Sequence, residues 1–474
     1  MSEHDGPLPP VGLNRMASDD HTAAHSPGAP RGGLLRVLGV AFGLAVIVGG
    51  VIGMGILRTP GEVAARLPDA RLFLGVWLLG GLYALAGTVS VAELGTMLPR
   101  SGGWYVFARR ALGEYAGFVI GWSDWLSTCG TVAATALVVG EYAGALAPRL
   151  AGREVAVASC AAVVFALLQW RGVRWGARTQ ELTSLLKTLG FGALIVACFV
   201  FGGQNTDVAP PAPLPPDVPH GLALLPALVL ALQGVIYTYD GWYNTIYFGE
   251  EVRDGARNIP RAMLGGVLLV IAVYLTLNAA LVYAAPVGRF AGAPLAVGAV
   301  AAALFGATGA TLVNVLAAVS LLAILNAYTM TAPRILFAMS RDGLGWRPAT
   351  AVNRGGTPTV ALLLSTLVVA AMIVFSGTFA RMLAALAFFF VTNYAVAFLA
   401  VFVLRRREPD APRPYRAWGY PWTTGAALVG SVAFLCGAVA GDTRNSLYAL
   451  ALLAVSYPAF ALLRRRAHTR GVSA

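Results

Sequence analysis

Apolar runs about as long as a lipid bilayer is thick recur along the whole chain. Stretches with almost no charge include residues 74–92, 262–285 and 359–376, and about 20 apolar residues is the length that a helix needs to cross the hydrocarbon. Soluble chains usually carry about a quarter charged residues, whereas this chain carries 12% and is 57% hydrophobic. The runs lack the alternation typical of barrel strands. We therefore predict an all-α integral membrane protein.

Proline, glycine and arginine interruptions divide these runs into about twelve predicted transmembrane helices. Their approximate bounds are 36–66, 72–98, 105–147, 154–170, 180–202, 222–250, 262–285, 296–340, 357–377, 380–404, 423–440 and 446–463. The third and eighth exceed the bilayer thickness. Each is predicted to be either a tilted span with a cytoplasmic extension or a span preceded by a half-helix.

The chain is expected to have five parts. Residues 1–33 are rich in Pro, Gly, Ser, His and Asp, which predicts a disordered cytoplasmic tail. A ten-helix core over 34–404 is followed by a basic cytoplasmic loop at 405–422. Two additional helices occupy 423–464, and a cytoplasmic tail covers 465–474.

The basic residues predict topology rather than a nucleic-acid surface. The net charge is +12, but the Lys and Arg side chains lie between apolar runs instead of on one arm or face. Alternate loops hold the arginine groups, while residues 203–221 contain neither Lys nor Arg. By the positive-inside rule the arginine loops and both termini face the cytoplasm. We expect a multi-pass protein of the plasma or inner membrane that binds no nucleic acid.

The usual chemistry of enzymes and channels is missing from the predicted spans. All five histidines, His4, His21, His25, His220 and His468, fall in tails or loops, and the four cysteines show no CxxC spacing. No catalytic residue, metal site or cofactor is therefore predicted, because a membrane enzyme needs an activated nucleophile, base or metal at depth. A channel would need charge rings or carbonyl filter loops, and neither is visible.

Two of the predicted helices carry an interruption near their middle. Helix one contains a glycine cluster at residues 49–55, which either breaks the helix or allows close packing through Gly49 and Gly53. Helix six contains a polar and aromatic stretch at 237–244 that includes Asp240. A carboxylate at membrane depth is costly and usually functional.

Interruptions in corresponding helices predict a five-plus-five inverted repeat, in which helices one to five match six to ten. At such breaks the N–H groups of a half-helix N-terminus attract a carboxylate, and free carbonyls attract an ammonium. An α-amino acid carries both groups.

Six stretches resemble the amino acid–polyamine–organocation (APC) superfamily, and within it the L-type amino acid transporter branch. Residues 50–60 are similar to its first-helix GSGIF motif, and 237–242 to its FAYDGW element. The other matching stretches are 92–105, 249–261, 333–343 and 406–421. The resemblance implies a LeuT-like fold and a secondary active transporter that carries amino acids by alternating access, as an exchanger or a proton-coupled symporter. A polyamine or other organic-amine transporter of this fold is the alternative.

The resemblance also implies the site. The backbone of Gly53, Met54 and Gly55 would meet the substrate carboxylate, and carbonyls near Val51, Tyr237 and Asp240 would meet the amine. Met54 replaces the serine of the family motif, so a hydroxyl donor is missing. The remaining predicted contacts are Ile52, Tyr239, Gly241 and Asn326.

Several of these residues have alternative roles. Lys187 either snorkels to the cytoplasmic surface or places its ammonium beside the break in helix one, as the resemblance implies, and couples transport to protons. Asp240 is a substrate ligand, a proton carrier or a helix cap. Tyr237 is the best candidate for a gate, and Asn326 either contacts the solute or bonds between helices. Members of the resembled family that bind a glycoprotein subunit carry a cysteine in the outer loop between helices three and four. The corresponding residues 147–154 contain none, so the resemblance implies no disulfide-linked accessory subunit.

Overall fold

The computed structural model of this chain describes residues 33–203, 220–376, 379–441, 456–458 and 460–461. Regular secondary structure in these ranges is helical, apart from isolated bridges between Leu38 and Val252 and between Val352 and Pro358. The predicted tails 1–33 and 465–474 lie almost wholly outside the described residues. So does most of the predicted helix 446–463.

The described helices follow the predicted segments closely. They are α1 Val40–Val51, α2 Met54–Arg66, α3 Ala70–Met97, α4 Trp104–Leu112, α5 Glu114–Leu146, α6 Glu154–Trp170, α7 Val173–Phe201, α8 Leu224–Thr238, α9 Gly255–Ala284, α10 Val287–Phe290, α11 Ala296–Arg341, α12 Thr359–Ser376, α13 Phe379–Arg407 and α14 Trp422–Gly441. Short 3₁₀ turns lie at Pro148–Leu150, Gly221–Ala223, Asn244–Phe248 and Arg347–Thr350.

Both predicted interruptions are confirmed. The first segment is two helices, α1 and α2, whose axes differ by 44°, and Ile52 and Gly53 between them leave the helical region of backbone angles. The sixth segment is helical only as far as Thr238. It continues through turns to the 3₁₀ segment Asn244–Phe248, so the predicted interruption is observed and the rest of segment 222–250 is not α-helical.

The two overlong segments differ from each other. The third is divided at Gly113, where φ is +96°, so α4 is a short helix that precedes the long α5. The eighth remains one element, α11, with a kink at Gly306, where φ is +61°. Glycine occupies both positions because positive φ is costly for residues with a Cβ.

Two helices begin earlier than predicted. Helix α7 starts at Val173 instead of residue 180, and α9 starts at Gly255 instead of residue 262. Arg174 and Arg178 were interpreted as loop residues, but charged side chains are compatible with a helix end that projects beyond the hydrocarbon. Pro260 lies in the second turn of α9, close to the N-terminal end where proline is best tolerated.

The described helices include several with the length and composition of membrane spans. Four qualify alone, namely α3, α7, α9 and α11, and the bent α1–α2 pair qualifies together; α6, α8, α12 and α14 are shorter apolar helices. Helix α7 exposes large apolar side chains, and Leu189 is 61% exposed. An outward apolar surface of this kind is what a bilayer requires.

One end of the molecule is held together by ion pairs and is called the arginine-rich end below. Glu93 on α3 pairs with Arg405 on α13 at 2.5 Å. Glu250 and Glu251, which follow the break after α8, pair with Arg341 and Arg334 on α11. The pairs of Glu250 and Glu251 tie the chain after α8 to the C-terminal end of α11.

Candidate functional site

Helix α1 ends in carbonyl groups that lack partners from the next turn, and a lysine takes up two of them. The Nζ of Lys187 on α7 donates to the carbonyl oxygens of Gly49 at 2.8 Å and Ile52 at 2.5 Å. The lysine side chain is fully buried. It therefore lies beside the break, as the resemblance implied, and does not reach a surface.

A single tyrosine brings the two breaks together. The hydroxyl of Tyr274 on α9 lies 2.9 Å from the carbonyl oxygen of Val51 and 3.1 Å from that of Thr238. Val51 is the last residue of α1 and Thr238 is the last residue of α8. The carbonyl ends of two helices thus meet at one buried phenol.

The N-terminus of α2 has no side-chain cap. Gly53 precedes the helix, and no side chain accepts from its first N–H groups. Met54 and Gly55 are partly exposed although they lie deep in the chain's packing. Because the first N–H groups of a helix have no partner within it, these donors are available to an anion.

The start of α2 lies very close to the end of α8. A Cβ on Gly55 would lie 3.0 Å from Thr238 Cγ2 and 3.3 Å from Thr238 Cα. The Thr238 hydroxyl also donates to Thr59 Oγ1 at 2.8 Å. The N-terminus of one half-helix therefore packs against the C-terminus of another, and the absence of a side chain at Gly55 permits that approach.

The break after α8 presents a carboxylate and several aromatic rings. Asp240 is partly exposed, and its Oδ1 accepts from the hydroxyls of Tyr243 and Tyr394. Gly241 has φ of +103°, which turns the chain away from the helix axis. Tyr237 is partly exposed, as a gate residue must be.

Two predicted site residues are more deeply placed. Tyr239 is buried, and its hydroxyl donates to the Trp77 carbonyl at 3.3 Å. Asn326 on α11 is fully buried, and its side chain bonds Gln169 on α6 and Gln180 on α7, each at 2.7 Å. Of the two alternatives for Asn326, the observed contacts are those between helices.

Sequence reasoning missed three residues of this region: Tyr274, Tyr394 and Asp124. Asp124 lies in α5 and is 1% exposed. The rule that selected Asp240, a carboxylate within an apolar run, also applies to Asp124. The two tyrosines carry no such signal, because tyrosines in membrane helices also pack or lie at interfaces.

The described residues include no group of three or more His, Cys, Asp or Glu side chains that could hold a metal ion. The polar groups around the breaks are backbone N–H groups, carbonyl acceptors, one ammonium and several phenols. Such a site suits a small molecule with both an anionic and a cationic group.

A helical membrane protein with two discontinuous helices that meet at a small polar site belongs to the class of secondary transporters. The profile of the family described as "Amino acid permease" matches residues 38–457. The chain belongs to this family, and the resemblance to amino acid transporters seen in the sequence is thereby confirmed.

Individual relatives cover most of the chain. The serine/threonine exchanger SteT of Bacillus subtilis is 29% identical over 92% of this chain and 98% of its own length. The human large neutral amino acids transporter small subunit 2 is 31% identical, over 82% of this chain and 74% of its own length. The mouse Asc-type amino acid transporter 1 is 29% identical over 81% and 73%, respectively.

Proposed function

We propose that this protein carries free amino acids across a cell membrane by alternating access, with exchange of one amino acid for another as its mode. The observation that carries the proposal is the uncapped N-terminus of α2 beside the carbonyl ends of α1 and α8. A zwitterion satisfies both kinds of freed backbone group at once.

The carboxylate of the substrate would bind at the start of α2. Its partners are the N–H groups near Gly53, Met54 and Gly55, which point along the helix axis toward the break. Met54 has no hydroxyl, so these contacts come from the backbone alone. Backbone donors bind any α-carboxylate, which makes them suitable for several amino acids rather than one.

The ammonium of the substrate would bind among the carbonyls of the two breaks. The Val51 carbonyl accepts from Tyr274, and the Tyr237 carbonyl accepts from the Asp240 N–H at 3.1 Å. Each carbonyl oxygen retains a second lone pair. Asp240 adds negative charge near this end, which favours an ammonium and disfavours a second carboxylate.

Lys187 would serve as a fixed cation in place of a transported ion. Its ammonium holds the carbonyls of Gly49 and Ile52 in position, and its charge adds to the positive end of the α2 dipole. Both effects favour binding of a carboxylate at the start of α2. In the alternative mode, proton symport, Lys187 would instead release and regain its proton during the transport cycle.

The proposed architecture has about twelve spans in a five-plus-five inverted repeat with broken helices 1 and 6. The arginine-rich end would face the cytoplasm together with both termini. We also propose that the chain works without a disulfide-linked subunit, since residues 147–154 contain no cysteine and the two exposed cysteines, Cys160 and Cys436, lie within the apolar helices α6 and α14.

Counter-flow in proteoliposomes tests the proposed function. Liposomes containing the purified protein and loaded with unlabelled serine are expected to take up labelled serine or threonine faster than unloaded liposomes. Each of the twenty amino acids is then loaded in turn as the unlabelled internal substrate. Liposomes that take up no labelled amino acid under any loading would overturn the proposal, and equal uptake by loaded and empty liposomes would exclude exchange.

A further inference from the structure

Besides Asp240, a buried carboxylate, that of Asp124, lies in α5 near the substrate site. Ten residues separate it from Glu114 at the start of α5, which corresponds to about 15 Å along the helix axis. Its side chain is 1% exposed. It faces Tyr247, which follows the break after α8, and Asn393 on α13.

The hydrogen bonds of Asp124 are incomplete. The Tyr247 hydroxyl donates to Oδ1 at 2.9 Å, and Asn393 Nδ2 approaches the same oxygen at 3.5 Å. Among the described residues Oδ2 has no hydrogen-bond partner, and neither has Oδ1 of Asn393. None of the ion pairs between described residues includes Asp124.

An ionised carboxylate in this position would be poorly compensated. A buried charge normally requires an opposite charge or a full set of hydrogen bonds, and Asp124 has one good donor on one oxygen. A hard metal ion would need about six oxygen ligands, whereas the described residues near Asp124 supply far fewer. A proton on Oδ2 removes the charge without any further ligand.

The same elements connect Asp124 to the substrate site. Tyr247 lies on the segment that follows the break, and four residues earlier the Tyr243 hydroxyl donates to Asp240 at 3.2 Å. Asn393 is adjacent to Tyr394, which also donates to Asp240. Movement of either segment therefore changes the surroundings of both carboxylates.

The titratable groups around Asp124 carry no positive charge. Tyr247 contacts it, and Tyr243 and Asp240 at the break after α8 and Tyr328 on α11 lie close enough to interact with it electrostatically. Helix α13 contributes Asn393, which does not titrate. The surroundings thus provide phenols and a second acid, and no cation to hold Asp124 ionised.

We propose that the Asp124 carboxyl is a proton-binding site that is occupied in the state described here and that exchanges its proton with water when the segment after α8 moves during transport. The O–H bond forms at Oδ2 with a proton from water, and the proton returns to water when Tyr247 and the carboxylate become hydrated. Proton binding by Asp124 does not depend on the proposed transport function. Its effect on transport rests on the proposed function as an amino acid carrier.

Infrared difference spectroscopy of the full-length protein in lipid, recorded while the pH is stepped, measures this proton directly. The wild type is expected to show the carbonyl band of a protonated carboxylic acid that disappears as pH rises. Asp124→Asn is expected to lose that band, and Asp240→Asn to keep it. An unchanged band in Asp124→Asn would overturn the proposal.

Tyr247→Phe provides a second test that needs no change at the acid itself. The phenol donates a hydrogen bond that favours the ionised form, so its loss should move the midpoint of the band upward by about one pH unit or more. Ser123→Ala is the matched control, because its hydroxyl bonds within α5 to Ile120. A midpoint that does not move in Tyr247→Phe would contradict the assignment even if Asp124→Asn failed to fold.

Transport gives the last readout. Counter-flow by the wild type is expected to vary with pH, whereas Asp124→Asn should exchange substrate at a rate that no longer depends on pH over the range in which the band titrates. The same pH profile in both proteins would overturn the coupling. If the wild type moves no amino acid, the proposed function fails, while the infrared result still decides whether Asp124 binds a proton.

Discussion

The ammonium nitrogen of Lys187 lies 2.5 Å from the carbonyl oxygen of Ile52, the residue at which the first membrane helix loses its regular backbone. A buried ammonium that donates to two carbonyls at the C-terminal end of α1 stabilises the backbone conformation at the break. Without this ammonium, the carbonyl oxygens of Gly49 and Ile52 would each lose a hydrogen-bond donor in a buried position, which costs free energy.

Lys187→Ala is expected to lower the initial rate of counter-flow at least about tenfold, since each unsatisfied buried group costs about 1–3 kcal/mol. The measurement is uptake of labelled amino acid by proteoliposomes containing equal amounts of protein. Thr188→Ala is the control, because the Thr188 hydroxyl bonds to Ser184 in its own helix. Near-normal uptake by Lys187→Ala would remove the lysine from the proposed site.

Gly55→Ala is expected to weaken substrate binding, and Gly55→Leu to abolish it. The added Cβ would lie 3.3 Å from the Thr238 Cα, so the half-helices must separate and the N–H groups of α2 must shift. Gly75→Ala on α3 has open space around its Cβ and should bind normally. Isothermal titration with the transported amino acid measures both, and wild-type affinity in Gly55→Leu would contradict the proposed carboxylate site.

Tyr274→Phe removes the hydroxyl shared by the carbonyls of Val51 and Thr238. We expect the free energy of unfolding, or the free energy of substrate binding, to fall by about 1–3 kcal/mol, because two buried acceptors lose their donor. Thermal unfolding with and without substrate separates the two effects. Tyr283→Phe, a half-exposed tyrosine of the same helix, serves for comparison. Unchanged unfolding temperatures in both conditions would show that the bridge does not hold the breaks.

Asn326→Ala is expected to destabilise the protein without changing its choice of substrate. The amide joins α6, α7 and α11 through Gln169 and Gln180, and its loss leaves both glutamines without that partner. The unfolding temperature should fall, while the order of preference among competing amino acids in counter-flow should stay the same. An altered order of preference would instead support substrate contact by Asn326.

Arg334 and Glu251 form a buried ion pair at the arginine-rich end. Breaking such a pair typically costs about 3–5 kcal/mol, whereas replacing both members by apolar residues is often neutral. Arg334→Met alone should therefore destabilise strongly, and the double variant with Glu251→Leu should recover much of the loss. Denaturation of the two variants in the same detergent checks this, and equal destabilisation of single and double variants would contradict it.

Local sequence was sufficient to predict both breaks. Clustered glycines at 49–55 and a carboxylate at Asp240 each contradict a continuous membrane helix, and the structure interrupts both helices there. The helix starts at Val173 and Gly255 were predicted too late, because arginine and proline were taken as the ends of helices when they lie inside them.

Contacts between distant parts of the chain could not be predicted in this way. Tyr274 reaches Val51 across 223 residues, and Tyr247 reaches Asp124 across 123 residues. Nothing near a tyrosine in a single sequence shows which helix will face it. Asp124 itself was predictable as a costly buried charge, but its role depends on partners that only the fold brings together.

Binding of substrate analogues to the purified wild type tests the central claim most directly, namely that two helix breaks together recognise both ends of a zwitterion. Thermal unfolding is measured with the transported amino acid, with the corresponding amine that lacks the carboxylate, and with the acid that lacks the amine. A stabilising ligand raises the unfolding temperature according to its affinity. The account predicts a shift for the amino acid alone. An equal shift with the amine, or with a polyamine, would contradict it.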